Sequence, residues 1–130
     1  MASKVTYQDA GVDTRAAAAL VSDIKSDVAR TQKQRQLFNS FGLFAAAFDL
    51  SDYREPVIVT GCDGVGTKVE LLLEHGMEKE AGKDLIAMSV NDIITTGGDP
   101  LLFLDYIGIA KLDPERIKKL ISGMCDYLED

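Results

Sequence analysis

Asp63-Gly64-Val65-Gly66-Thr67-Lys68 gathers a carboxylate, two glycines, a hydroxyl and an ammonium group into one short stretch. Glycines one residue apart let a backbone approach a ligand closely and turn its amides toward it. Asp63 follows an apolar run, and a carboxylate in that position can bind magnesium. Lys68 offers a compact positive charge for a phosphate oxygen. The set suits a magnesium–phosphate site, and it also suits a tight strand-to-helix turn with a solvated lysine. It is not a P-loop, which needs four residues between its glycines and then Lys followed by Ser or Thr. It is not a dinucleotide fingerprint either, because the third glycine is missing.

Three other places hold polar groups among apolar neighbours. Asn91-Asp92 lies between Val90 and Ile93. A buried unpaired carboxylate is costly, so Asp92 faces either solvent or a cation or donor. Asp84 precedes Asn91 by two helical turns and shares its face, which makes a second carboxylate–amide pair. Asp105 interrupts Leu101-Leu102-Phe103-Leu104 and Tyr106-Ile107. It either points outward from a half-exposed strand or meets a partner such as a metal. The remaining candidates are weaker. His75 is expected at a helix C-terminus, where it complements the dipole. Cys62 beside Asp63 has no reason to form a thiolate, and Cys125 is expected to pack. Lys25, between Asp23 and Asp27, reads as part of a solvated face. No Ser-His-Asp or Cys-His set can be assembled.

The elements that must position these groups follow from periodicity and caps. Asp13 is a suitable N-cap for a helix carrying Leu20, Val21, Ile24 and Val28, running to about Arg30. Thr31 to Ser40 reads as loop and Phe41 to Leu50 as a strand. Val57-Ile58-Val59-Thr60 behind Pro56 reads as a buried strand. A short helix is expected from the glycine-rich segment to Leu73, and another from Lys83 to Thr96, closed by Gly97-Gly98. Leu101 to Ala110 reads as a strand. Asp113-Pro114 then opens an amphipathic helix carrying Ile117, Leu120, Ile121, Met124 and Leu128. Strands and helices interleave, so the expected fold class is α/β (α+β), a mixed sheet with helices packed on it.

Composition bounds the function. The chain has 130 residues with 46% hydrophobic and 27% charged, which fits one globular domain. A formal net charge of −7 argues against nucleic acid as a partner. The two cysteines are too few for a disulfide framework. No secretory pattern opens the chain, and no apolar stretch approaches the ~20 residues that span a membrane. No membrane partner is expected, and cytoplasm is the expected compartment. The final residues, Leu128-Glu129-Asp130, lie within a helical pattern without a stop signal, which reads as a cut chain.

Several segments, in order, resemble the aminoimidazole ribonucleotide synthetases (phosphoribosylformylglycinamidine cyclo-ligases). They are Tyr7-Gln8-Asp9-Ala10-Gly11-Val12-Asp13, Tyr53-Arg54-Glu55-Pro56-Val57, the Gly61 to Lys68 segment, Val90-Asn91-Asp92, and Pro100-Leu101-Leu102-Phe103-Leu104-Asp105-Tyr106. The glycine-rich and Val-Asn-Asp elements are common to a wider superfamily. The opening segment and the Phe-Leu-Asp-Tyr strand are more specific to this family.

The resemblance implies an ATP-dependent ring closure of formylglycinamidine ribonucleotide in purine biosynthesis, with ATP and magnesium required. It implies cofactor-binding roles for Lys25, Asp63, Gly64, Gly66, Thr67, Lys68, Asn91 and Asp105, with Asp63 and Asp92 on the metal. It assigns no catalytic residue. It further implies that residues 1–130 form an N-terminal ATP-binding and dimerisation domain of a homodimer. A second domain is absent, so the expectation is that the chain alone does not catalyse the reaction. The alternatives are another ATP-using enzyme of the superfamily, such as a selenophosphate synthetase or thiamine-phosphate kinase, and a non-catalytic dimerisation domain.

Overall fold

The structure is a computed structural model, and it describes residues 6–7, 11, 13–32, 37–38 and 45–129. Its order is α1 (Thr14–Asp23), α2 (Lys25–Thr31), β1 (Leu37–Phe38), β2 (Ala47–Phe48), α3 (Lys68–Glu74), α4 (Glu78–Ile94) and α5 (Pro114–Glu129).

Both aspartate caps form as their positions require. Asp13 Oδ1 accepts from the amides of Arg15 and Ala16, each at 3.0 Å, and so satisfies two free donors of the first turn. Asp113 Oδ1 accepts from the Arg116 amide at 3.2 Å, ahead of Pro114 at the first helical position. The first expected helix is divided: a turn at Ile24 separates α1 from α2. His75 caps α3, with Nδ1 2.9 Å from the Leu71 carbonyl oxygen.

The helices pack around α5. It meets α4, α2 and α1, while α3 rests on α4. The apolar core is correspondingly helical, formed by Leu20, Ala81, Ile86, Ile117, Met124 and Cys125. Helix α4 begins at Glu78, not at the expected Lys83. Gly82 lies inside the helix and is needed for close approach. A Cβ there would collide with the Leu120 carbonyl oxygen and stand 2.9 Å from the Met124 nitrogen. Gly123 on α5 does the same in return: a Cβ there would collide with the Lys79 carbonyl oxygen and stand 2.8 Å from its Cα. Glu78, buried at the start of α4, faces Arg116 at 3.5 Å and Lys119 at 3.8 Å on α5. A carboxylate there also complements the positive end of the α4 dipole.

The sheet is smaller than expected. Among the described residues it consists of β1 and β2 alone, antiparallel, with Leu37 opposite Phe48 and Phe38 opposite Ala47. Part of the expected Thr31 to Ser40 loop is therefore strand, and Thr31 itself closes α2. The expected Phe41 to Leu50 strand pairs only at Ala47–Phe48, and residues 41–44 lie outside the described set. The segments Val57 to Thr60 and Leu101 to Ala110 join no ladder, and Val57, Ile58, Leu104 and Tyr106 are exposed. A high strand propensity yields a strand only where a neighbouring strand takes up the backbone hydrogen bonds. The described fold is thus helical, with a small two-stranded sheet, and its helices pack on one another.

Candidate functional site

The glycine-rich segment runs along α4. At its start, a Cβ on Gly61 would stand 3.6 Å from Ile93 Cδ1 and 3.9 Å from Asp92 Cβ, so the backbone here rests on the C-terminal part of α4. At its end, Lys68 Nζ forms an ion pair with Asp84 Oδ2 at 2.7 Å. Asp84 and Asp92 are eight residues apart, or about 12 Å along the helix axis. The loop therefore lies over α4 with both ends fixed to it. Asn91 falls two turns from Asp84, on the same stripe, and is exposed, as is Asp92.

Between these anchors the loop is open. Gly64 and Gly66 have no atom within 4 Å of where a side chain would begin. Gly66 has φ +67°, a left-handed conformation that suits glycine. The Gly64 amide donates to Asp63 Oδ1 at 2.7 Å, which fixes the carboxylate at the head of the open stretch. Thr67 is exposed and makes no side-chain cap bond to α3. The first turn closes instead through the Val69 amide to the Gly66 carbonyl and the Glu70 amide to the Thr67 carbonyl, each at 3.2 Å.

The structure thus brings Asp63, Gly64, Gly66, Thr67 and Lys68 together by sequence, and Asp92 to the start of the segment through α4, with Asn91 next to it on that helix. Lys25 is exposed on α2, which packs on α1 and α5 and not on the helices carrying Lys68 or Asp92. Asp105 lies in the segment between α4 and α5. Its residue is open to solvent, yet desolvation of the carboxyl raises its pKa above the ordinary range, opposed by a hydrogen bond from the Tyr106 amide. No ion pair or hydrogen bond among the described residues ties Asp105 or Lys25 to the loop. Sequence reasoning missed the Lys68–Asp84 pair. It placed Asp84 with Asn91 by spacing, whereas the contact with Lys68 depends on how α3 packs against α4.

The donors suit a magnesium ion carried by a phosphate ligand. Asp63 heads the open loop that Lys68 ends, Asp92 lies against the loop's start at Gly61, and both carboxylates are hard oxygen donors. Among the described residues, no group of three or more His, Cys, Asp or Glu side chains could hold a metal. Magnesium bound with a nucleotide asks for less, because one or two carboxylates suffice when phosphates and waters complete the octahedron. Cys125 takes no part: it is buried, and desolvation raises its thiol pKa to about 11. No helix among the described residues is long and apolar enough to cross a membrane.

Residues 44–130 match the family described as AIR synthase related protein, N-terminal domain. Over 125 residues the chain is 46% identical to a phosphoribosylformylglycinamidine cyclo-ligase of Oceanobacillus iheyensis, covering 95% of this chain and 37% of the relative. A protein of the same name from Staphylococcus carnosus is 45% identical over 127 residues, covering 96% of this chain and 36% of its own length. The Leptospira interrogans protein of that name is 44% identical over 127 residues, with coverages of 95% and 37%. The chain spans a little over a third of the length of these relatives. It belongs to the AIR synthase related family, to whose N-terminal domain it corresponds.

Proposed function

We propose that this chain is the nucleotide-binding portion of an ATP-dependent phosphoribosylformylglycinamidine cyclo-ligase of purine biosynthesis. The observation that carries the proposal is the open glycine-rich loop braced on α4, with Asp63 at its head, Lys68 at its end and Asp92 beneath its start. The names of the relatives supply the reaction class, and identities of 44–46% over nearly the whole chain support the transfer.

In this reading the loop amides and the Lys68 ammonium receive the phosphates of ATP, and the open faces of Gly64 and Gly66 admit them. Asp63 and Asp92 hold the magnesium ion, which neutralises phosphate charge when bound. Thr67 and Asn91 would complete the nucleotide site on this side, and Asp105 and Lys25, which lie apart from the loop in this chain, would join it only in the assembled protein. ATP activates the formyl oxygen of formylglycinamidine ribonucleotide by phosphorylation, giving ADP. A nitrogen of the same substrate attacks the formyl carbon and closes the imidazole ring, and the bond from that carbon to the phosphorylated oxygen breaks to release phosphate. An intramolecular attack removes the entropy cost of a second encounter. The fold of the superfamily's first domain, with strands completed by further chain or a second copy, belongs to the same proposal. The exposed apolar residues Val57, Ile58, Leu104 and Tyr106 support a homodimer. The site's remaining parts would come from the rest of the protein, so residues 1–130 alone are not expected to turn over.

The test is to supply the full-length protein carrying this chain with ATP, magnesium and formylglycinamidine ribonucleotide, and to follow ADP and the ring-closed product together. Matched formation of both supports the assignment. ADP release without dependence on that substrate would transfer the protein to another reaction of the superfamily.

A further inference from the structure

We infer that Asp84 is a positioning residue for the nucleotide, acting through Lys68; the inference rests on the nucleotide reading above. Lysine is a flexible side chain whose ordering opposes ligand binding. Here its ammonium already lies 2.7 Å from Asp84 Oδ2, a short charge-assisted contact. The carboxylate is carried by α4, and the neighbouring Gly82 locks that helix against the α5 backbone. Lys68 is therefore tied to a helix locked into the core, while the glycine-rich loop before it stays open.

The ammonium has three N–H donors. The contact with Asp84 uses one, which leaves two for phosphate oxygens without breaking the pair. Both side chains are substantially exposed, at 57% for Lys68 and 41% for Asp84, so the pair contributes little to folding. Its consequence falls on where the ammonium points. Asp84 itself need not touch the ligand.

The test is a double-mutant cycle on magnesium-ATP binding to the full-length protein, using Asp84→Asn, Lys68→Met and the two combined. Asp84→Asn is expected to weaken binding about tenfold in the wild-type background and to have no further effect once Lys68 is gone, the signature of coupled residues. Asp84→Glu should recover much of the loss, and thermal melting should be the same for Asp84→Asn and wild type. Unchanged or tighter binding in Asp84→Asn would overturn the role, as would losses that simply add. If the wild-type protein binds no magnesium-ATP, the nucleotide reading itself fails and this inference falls with it. Wild-type binding with uncoupled variants overturns the positioning role alone.

Discussion

Gly82 on α4 and Gly123 on α5 form a reciprocal notch, each admitting the backbone of the other's helix where no side chain would fit. This contact sets the separation of the two longest helices. It also fixes α4, whose exposed side carries Asp84, Asn91 and Asp92 under the glycine-rich loop. Gly82→Ala and Gly123→Ala should each destabilise the fold by about 2–3 kcal/mol, because the obstacle is backbone and cannot rotate away. Because the two glycines share one contact, the double variant should cost less than the sum. Urea denaturation of the three variants checks both statements.

Arg30 ties α2 to the end of α5. It bonds Asp126 Oδ1 at 2.6 Å and also pairs with Glu129. The Arg30 hydrogen bond is the main reason that the Asp126 carboxyl titrates below the ordinary aspartate range. A carboxylate with a depressed folded-state pKa adds stability above its unfolded value of ~3.9, and loses it as pH falls through the folded value. Arg30→Met should therefore be less stable than the parent at pH 7. The difference should shrink as pH drops below about 4, and high salt should reduce it as well. Denaturation midpoints measured from pH 7 to pH 2 test the sign.

The two thiols should differ in reactivity. Cys62 is exposed, whereas Cys125 is buried with its pKa raised to about 11 by desolvation. A disulfide reagent at about pH 8, below the ordinary thiol pKa, should modify Cys62 and spare Cys125 until the protein is unfolded. Peptide mapping after brief labelling identifies the modified thiol.

Much of this organisation was legible along the chain, and the exceptions have physical causes. Asp13 and Asp113 announced their helices because a cap is a local interaction between near neighbours. The stripe from Ile117 to Leu128 gave α5 for the same reason. The start of α4 at Glu78 was not legible, because the place of Gly82 inside the helix depends on the α5 backbone packed against it. Val57 to Thr60 and Leu101 to Ala110 carry strand residues, but pairing is not a local property, and neither segment is paired among the described residues. At the site, the chemistry of Asp63, Gly64, Gly66 and Lys68 was legible because they are contiguous. The Lys68–Asp84 pair was not, since it joins two helices across a turn.

Gly64 separates ligand approach from folding. Its backbone is not in the left-handed region, and a Cβ there meets no atom within 4 Å. Gly64→Ala should leave stability within about 0.5 kcal/mol of the parent. The added methyl group should nevertheless obstruct phosphate oxygens approaching the amides, and weaken magnesium-ATP binding in the full-length protein about tenfold or more. Calorimetric titration beside thermal melting shows whether the two properties part in this way.

Asp63→Asn puts the central claim to its most direct test, because it removes the carboxylate charge at the head of the loop while keeping the shape of the side chain. The measurement is ATP binding to the full-length protein, wild type and variant, across a magnesium titration. Wild-type affinity should rise with magnesium, and the variant should lose most of that rise, by about tenfold or more. A variant that keeps the full magnesium dependence would contradict the placement of the metal–phosphate site at the glycine-rich loop.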